Sequence, residues 1–282
     1  MEIKSLAHIS FETIFKAFNQ AFANYEVQLD FEQLKAMWKR RGFQPEFSFA
    51  AFEEREIVAF TLNGIGLYNG TRTAYDTGTG TLEEYRGQGL ATKIFEYSIP
   101  FLKKRGIQQY LLEVLQHNAK AVSVYRALGF ETVREFNYFM QENGEIRNIR
   151  CADSRYGIRK IHIEHYRSIS DFWDFTPSWQ NSMESIKRAA ADLVSLGVFD
   201  GKKLIGYSVF EPASGDITQI AIDKSNRRKG IASLLLEGML HLNGNAMIKV
   251  VNTDIHCGSI TGFLQSRNVE IKGRQFEMVK QL

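Results

Sequence analysis

The sequence predicts an α/β fold of the α+β type, built as two related domains in tandem. The main observation is a basic-glycine string that occurs twice, as Arg86-Gly87-Gln88-Gly89-Leu90-Ala91 and as Arg227-Arg228-Lys229-Gly230-Ile231-Ala232. The two copies lie 141 residues apart, which is half of the 282-residue chain. Each copy follows a strand-like run and opens a helical apolar pattern. This order predicts one strand–turn–helix unit in each half.

The elements of the first half follow from helical spacings, alternating strands and glycine stops. The predicted order is a strand over 1–7, helices over 11–22 and 31–38, strands over 47–52, 57–62 and 71–82, a helix over 90–105, a strand over 109–115, a helix over 119–128 and a strand over 130–140. Gly78 and Gly80 lie inside the strand before the first turn. Glycine there indicates a bulge or a close approach of another backbone or ligand.

The second half repeats this order after a polar segment. Strands over 194–199 and 204–210 form a hairpin, and a strand over 216–222 leads into the second turn. We therefore predict a first domain over 1–141, a linker over 142–157 and a second domain over 158–282.

Composition excludes several classes of protein. The chain carries 35 basic and 32 acidic residues, a balance too even for a nucleic-acid-binding surface. Its cysteines, Cys151 and Cys257, have no metal-ligand spacing, so we expect no metal centre and a reducing cytoplasm. No apolar run approaches the roughly 18 residues of a membrane span, and no signal peptide is visible. We expect a cytoplasmic protein without a membrane partner, as a monomer or homodimer.

The glycine turn is suited to bind an anion. A helix that starts at glycine exposes unpaired backbone N–H groups at its positive end, which suits a phosphate or pyrophosphate. No Gly-Lys-Ser/Thr follows either turn, and the Gly-x-Gly-x-x-Gly spacing of dinucleotide-binding folds is absent.

These motifs resemble the GNAT superfamily of N-acetyltransferases. The first half has the string Arg86–Ala91, a strand over 111–114 followed by Asn118, and a Tyr-x-x-x-Gly-Phe ending at Tyr125 to Phe130. The resemblance covers both halves. It implies that each domain is a mixed, mostly antiparallel twisted sheet flanked by helices, with a splayed strand pair that holds acetyl-CoA.

The resemblance also implies a set of cofactor contacts. The pyrophosphate would rest on the backbone N–H groups of Gln88 to Ala91 with help from Arg86, the pantetheine arm would pair with the strand, and Asn118 would bond its amides. The predicted cofactor-binding residues are Thr79, Gly80, Thr81, Leu82, Arg86, Gly87, Gln88, Gly89, Leu90, Ala91 and Asn118. A second coenzyme A site remains an alternative at Arg227, Arg228, Lys229, Gly230, Ile231 and Ala232.

Two residues are predicted to be catalytic. Tyr125 matches the family acid that protonates the departing thiolate; the alternative is a core aromatic. Asp76 is the best-placed carboxylate to accept the proton of the amine; a capped bulge residue, or a water chain as base, are the alternatives. In the second half, Leu264 stands at the Tyr125 position and Cys257 at the Asn118 position. We therefore predict that the first half catalyses and the second is a structural partner.

The predicted function is transfer of an acetyl group from acetyl-CoA to a primary amine of a small molecule. The alternatives are the same chemistry on a peptide or protein amine, and a non-catalytic acyl-CoA sensor or scaffold. Aromatic residues that either line an acceptor pocket or belong to the core are Phe22, Tyr25, Trp38, Phe136 and Tyr138.

Overall fold

The computed structural model describes residues 1–24, 28–147, 155–166 and 168–282. The strands are β1 Glu2–Ser5, β2 Phe49–Glu53, β3 Glu56–Tyr68, β4 Thr71–Thr81, β5 Gln109–Leu115, β6 Glu131–Glu142, β7 Tyr156–Lys160, β8 Val194–Asp200, β9 Lys203–Glu211, β10 Asp216–Ile222, β11 Met247–Asp254 and β12 Glu270–Gln281. The α-helices are α1 Phe11–Ala21, α2 Phe31–Arg41, α3 Leu90–Lys104, α4 Ala119–Ala127, α5 Met183–Arg188, α6 Ile231–Leu242 and α7 Gly258–Ser266. No described helix has the length and apolar character needed to cross a membrane.

The chain divides into two compact units. Unit 1 is Met1–Val133 together with Phe276–Leu282, and unit 2 is Arg134–Gln275. This division differs from the predicted domains at 1–141 and 158–282. Residues 148–154 of the predicted linker, Cys151 among them, lie outside the described residues, whereas Ile146 packs in the core of unit 2.

In unit 1 the strand order is β1-β2-β3-β4-β5, and the end of β12 follows β5. The first four strands run antiparallel, and β4 pairs parallel with β5. Asn69 and Gly70 both have positive φ and close a tight hairpin between β3 and β4, because such turns need left-handed residues at both central positions. The hairpin makes β3 longer than the predicted strand over 57–62.

Capping residues fix the ends of the first two helices of unit 1. The side chain of Ser10 caps α1, Asp30 and Gln33 form a capping box on α2, and Gly42 ends α2 in the left-handed conformation. The aromatic stripe of α1 packs with Trp38 and Phe60 in one core cluster. The phenylalanines of the stripe are partly buried and cover the fully buried residues of this cluster.

In unit 2 the strand order is β6-β11-β10-β9-β8-β7, with the start of β12 beside β6. Strand β6 runs antiparallel to β11, with Phe136 opposite Asp254 and Glu142 opposite Met247. The strand expected to complete the first half therefore lies largely in unit 2, and residues 276–282 complete unit 1. The alternation of apolar and polar residues predicts which face of a strand is buried but not which sheet edge the strand joins. The sequence therefore carried no signal that β6 would pair mainly in unit 2 and that the end of β12 would complete unit 1.

Candidate active site

The site begins where two parallel strands of unit 1 separate. Among the described residues, pairing of β4 with β5 covers only Thr73–Tyr75 against Gln109–Leu111, whereas β4 continues beside β3 to Thr81. A strand that leaves its neighbour exposes backbone N–H and C=O groups along the open edge. The gap is therefore a slot in which an extended ligand arm can bond to the β4 backbone.

A bulge in β4 directs a carboxylate toward this gap. The register with β3 shifts between Leu62 opposite Gly78 and Asn63 opposite Asp76, so Thr77 is the extra residue. The second glycine allows close packing, since a Cβ on Gly80 would lie 2.6 Å from the Phe60 ring. The predicted bulge is confirmed, whereas the close neighbour of Gly80 is a side chain and not the backbone or ligand that was expected.

Asp76 is buried, with 8% of its surface exposed, and is fully engaged in hydrogen bonds. Its Oδ1 accepts from the backbone N–H of Gly78 at 2.9 Å, and its Oδ2 accepts from Thr79 Oγ1 at 2.8 Å. Burial raises the pKa of Asp76 to about 6, although these hydrogen bonds and the charge of Arg41 oppose the increase. A carboxylate with this pKa is mostly ionised at neutral pH and is more basic than an exposed aspartate.

Tyr125 reaches the same carboxylate from α4. Its hydroxyl donates to Asp76 Oδ2 at 3.2 Å. Its ring lies edge-on against Phe95 and Phe130, with centroid distances of 5.9 and 5.7 Å. Phe130, the last residue of the Tyr-x-x-x-Gly-Phe motif, thus packs against the ring of Tyr125. The two residues predicted to be catalytic are in direct contact.

The glycine turn leads into α3 as predicted. Gly87 and Gly89 have φ of 78° and 71°, and Gly89 is the N-cap of α3 without a side-chain hydrogen bond. A Cβ on either glycine would meet no atom within 4 Å. The first bond of the helix runs from the N–H of Lys93 to the carbonyl of Gly89, which leaves the amides of the first turn for a ligand. The turn therefore fits a bound diphosphate.

Arg86 and Asn118, both predicted to bind the cofactor, also make hydrogen bonds within the protein. The Arg86 guanidinium donates to the carbonyl of Thr81 at 3.3 Å and to that of Ala21 at 3.1 Å, which ties the turn to β4 and α1. Asn118 is the N-cap of α4, and its Oδ1 accepts from the N–H of Ala121 at 3.2 Å. Their contacts with a cofactor remain predictions.

Unit 2 repeats the separated strand pair and the glycine turn, but it has leucine where unit 1 has Tyr125. Among the described residues, the parallel pairing of β10 with β11 is limited to Asp216 opposite Lys249. Arg227 repeats the bonds of Arg86, donating to the carbonyls of Ile222 and Phe172. Leu264 lies in the apolar core, 1% exposed. The opened sheet encloses a cavity of about 560 Å³ lined by residues of unit 2, including Arg227, Arg228, Gly230, Ile231 and Ala232.

Two polar contacts of β4 side chains were not predicted from the sequence. Thr79, predicted only as a backbone contact, binds the carboxylate through its hydroxyl. Glu113 on β5 accepts a hydrogen bond from the buried Tyr75, and burial raises the pKa of that tyrosine. The three-residue spacing from Asp76 to Thr79 could have indicated the first contact; nothing local indicates the second.

The aromatic residues considered for an acceptor wall are largely core. Trp38 is 1% exposed, and Phe22 packs on Phe18 with ring centroids 4.5 Å apart. Phe136 and Tyr138 belong to unit 2, and Tyr25 lies outside the described residues. Trp38 therefore belongs to the core, whereas Phe22 is only partly buried and its place in an acceptor wall stays a prediction.

Comparison with known proteins places this geometry in a family. A model described as acetyltransferase (GNAT) family matches residues 11–130. N-alpha-acetyltransferase 30 of Schizosaccharomyces pombe is 34% identical over 107 residues, 37% of this chain and 71% of the relative. The ribosomal protein bS18-alanine N-acetyltransferase of Escherichia coli K12 is 40% identical over 63 residues, 22% of this chain and 42% of the relative.

A solved structure shares the fold over nearly the whole chain. A tandem GNAT protein from the clavulanic acid biosynthesis pathway superposes with a TM-score of 0.76, covering 99% of this chain and 98% of that one at 12% identity. The predicted α/β fold and the predicted resemblance are confirmed. The chain belongs to the acetyltransferase (GNAT) family, a family of acyltransferase enzymes.

Proposed function

We propose that unit 1 is an N-acetyltransferase that moves an acetyl group from acetyl-CoA to a primary amine. The observation that carries the proposal is the contact of Tyr125 with Asp76 beside the gap between β4 and β5. An acid and a base in one hydrogen bond, next to a helix start that fits a diphosphate, suit acyl transfer to an amine.

The residues present fit the cofactor. The first-turn amides of α3 and the open space at Gly87 and Gly89 accommodate the pyrophosphate. The free edge of β4 from Thr79 accommodates the pantetheine arm, although the carbonyl of Thr81 already accepts from Arg86. When bound, acetyl-CoA supplies the activated acetyl group, and the transfer forms an N–C bond and breaks a C–S bond.

The protein would move one proton from the amine to the sulfur. Asp76 Oδ2 accepts the proton that the incoming ammonium must lose. The Tyr125 hydroxyl gives its own proton to the departing sulfur, and the 3.2 Å bond allows Asp76 to return a proton to the tyrosine. An ammonium nitrogen loses two protons on the way to the amide. One of them replaces the proton that Tyr125 gives to the sulfur, and the other passes from Asp76 to solvent, so both groups end the cycle in their starting states.

The basicity of the amine sets the cost of its deprotonation. A peptide α-amino group has a pKa of about 8, so transferring its proton to a group near 6 costs about 3 kcal/mol. A lysine-like amine near 10.4 costs about 6 kcal/mol for the same step. Because a weakly basic amine loses its proton at lower cost whatever the base, we favour such an amine as the acceptor over an alkyl amine such as a polyamine.

Two classes of acceptor remain candidates. The sequence predicts a small molecule, and an amino-acid derivative with a free α-amine fits the pKa argument. The α-amine of a peptide is the second candidate. It is supported by the names of two relatives, an N-alpha-acetyltransferase and a bS18-alanine N-acetyltransferase.

The test is thiol release from acetyl-CoA with amino-acid amides, short peptides, amino sugars and polyamines. We expect turnover with α-amines, a loss of at least 100-fold in kcat for Asp76→Asn, and a smaller loss for Tyr125→Phe. Tyr97→Phe, on the exposed face of α3, and Leu264→Ala in unit 2 are the controls. Tight cofactor binding without turnover on any amine would instead support the sensor.

A further inference from the structure

The end of α2 is bonded to β3 opposite the bulge that carries Asp76. The backbone N–H of Gln44 donates to the carbonyl of Asn63 at 2.8 Å. The N–H of Ile65 donates to the carbonyl of Gly42 at 3.0 Å. Asn63 is the β3 residue opposite Asp76 in the register of the two strands. These backbone bonds therefore fix the last turn of α2 against the part of the sheet that holds the proposed base.

Gly64 permits this close approach of helix and strand. A Cβ at Gly64 would lie 2.0 Å from the backbone oxygen of Arg41, and Phe43 forms an antiparallel bridge with Gly64. A backbone oxygen cannot rotate aside as a side chain can, so a larger residue on this part of β3 would push the end of α2 away from the strand. The position of Arg41 thus depends on a glycine that lies outside the anion-binding turn.

The guanidinium of Arg41 bonds to the bulge itself. Arg41 is the last residue of α2 and is half-buried, and its Nη1 donates to the carbonyl of Thr77 at 3.4 Å. Thr77 is the extra residue of the bulge and follows Asp76 directly. An arginine in the last turn of a helix ordinarily extends into solvent, where it complements the helix dipole. This arginine instead connects α2 to the strand segment that shapes the site.

Arg41 also supplies positive charge to the site. Burial is the main influence on the pKa of Asp76 and raises it, whereas the charge of Arg41 is one of the effects that lower it. The same charge lowers the pKa of Tyr75, although burial and the carboxylate of Glu113 raise that pKa more strongly. Removing the charge of Arg41 would therefore make ionisation of Asp76 less favourable.

The other ionisable side chains around Asp76 supply no positive charge in its place. Tyr125 donates its hydrogen bond to Asp76 from α4. Burial raises the pKa values of Tyr75 on β4 and Tyr110 on β5 well above the usual value of a tyrosine, so both hydroxyls keep their protons at neutral pH. Glu113 on β5 accepts the hydrogen bond of Tyr75. The positive charge from α2 thus has no substitute among these groups.

We propose that Arg41 is a positioning residue of the active site, which holds the bulge through Thr77 and keeps Asp76 ionised at neutral pH. The proposal rests on the proposed function, because Asp76 is the base of that reaction. It adds a role for α2, which contributes no group to the proton transfer described above. If α2 moved away from β3, Asp76 would bind its proton more tightly and would be ionised in a smaller fraction of the molecules at neutral pH.

The experiment follows the ionisation of Asp76 directly. The full-length protein is labelled with carbon-13 at its aspartate carboxyls and titrated by NMR, and the Asp76→Asn variant identifies the Asp76 signal. We expect Arg41→Met to raise the midpoint of this signal by about 0.5 pH units or more, because loss of a nearby positive charge disfavours the carboxylate. Arg41→Lys keeps the charge and should stay closer to wild type. Lys35→Met is the matched control with an unchanged midpoint, because it removes an exposed charge of α2.

A pH profile of kcat/KM separates this role from a merely structural one. In Arg41→Met the acid limb should move to higher pH together with the NMR midpoint, whereas a loss of folded protein would lower the rate at every pH. Gly64→Ala displaces the end of α2 but keeps the guanidinium, and it should move both quantities in the same direction.

An Asp76 midpoint that is equal in wild type and Arg41→Met would overturn the proposal. A midpoint that rises in Arg41→Met while the pH profile stays in place would support the action of Arg41 on Asp76. That second result would count against Asp76 as the base, and so against the proposed function alone.

Discussion

Replacing Asp76 by asparagine should stabilise the protein while removing activity. Burial raises the pKa of this carboxyl from 3.8 to about 6, so the folded protein binds its proton more tightly than the unfolded chain does. Stability is therefore lost as the pH rises from 3.8 to 6, and the full cost is present above pH 6. A shift of about two units corresponds to about 3 kcal/mol.

Asparagine can keep the local hydrogen bonds. Its Oδ1 can accept from the N–H of Gly78, and its Nδ2 can donate to the hydroxyls of Thr79 and Tyr125, which are also acceptors. The variant thus removes a buried charge without orphaning its partners. We expect the free energy of unfolding to rise by up to about 3 kcal/mol at pH 8, and by about half of that at pH 5.

Urea unfolding at both pH values measures this difference between variant and wild type. Asp223→Asn is the control of opposite sign, because hydrogen bonds from Ser225 lower the pKa of Asp223 to about 2. That variant should lose stability at pH 8. An Asp76→Asn protein that is no more stable than wild type at pH 8 would refute the assignment of a desolvated, ionised carboxylate.

Three further outcomes follow from the site. The kcat/KM of the wild type should rise with pH through about 6, as Asp76 ionises, and a pH profile of Asp76→Asn should lack that limb. Gly89→Glu should abolish cofactor binding in unit 1, as measured by calorimetry, because it places a carboxylate in the open space proposed for the pyrophosphate. Unchanged affinity would contradict this placement of the pyrophosphate. Gly80→Ala should destabilise by about 1–3 kcal/mol in urea unfolding, because its Cβ overlaps the ring of Phe60, and a neutral result would show that this ring moves aside.

Much of the site could be predicted because its signals are local. The glycine turn, the bulge near Gly78 and the helix that carries Tyr125 each depend on residues adjacent in sequence. The contact of Tyr125 with Asp76 spans 49 residues. Tyr125 was predicted from the resemblance to a family and Asp76 from its position on the strand, and nothing in the sequence predicted that the two would touch. Arg41 gave no signal at all, since an arginine near a helix end is ordinarily a solvated cation.

The end of β12 belongs to unit 1, and this leads to a prediction about which residues unit 1 needs in order to fold. Met278 is fully buried in unit 1, in the cluster with Phe95 and Tyr110, although it lies 148 residues beyond the last residue of the family match. Met278→Ala should cost about 2–5 kcal/mol and raise hydrogen exchange in β5 and α4, which would also loosen Tyr125. Met239→Ala, an equally buried methionine of unit 2, should leave exchange in β5 unchanged.

If protection of β5 survives Met278→Ala, the last strand does not complete unit 1, and residues 1–133 should fold and bind cofactor alone. If protection is lost, the catalytic unit requires the C-terminal residues, whatever the second unit binds. The reason is geometric. Leu282 donates its N–H to the carbonyl of Gln108, and Lys280 donates to that of Leu128, so the last strand bonds at both ends of the segment that carries β5 and α4. Tyr125, the proposed acid, is thus held in place by contacts from residues 280 and 282.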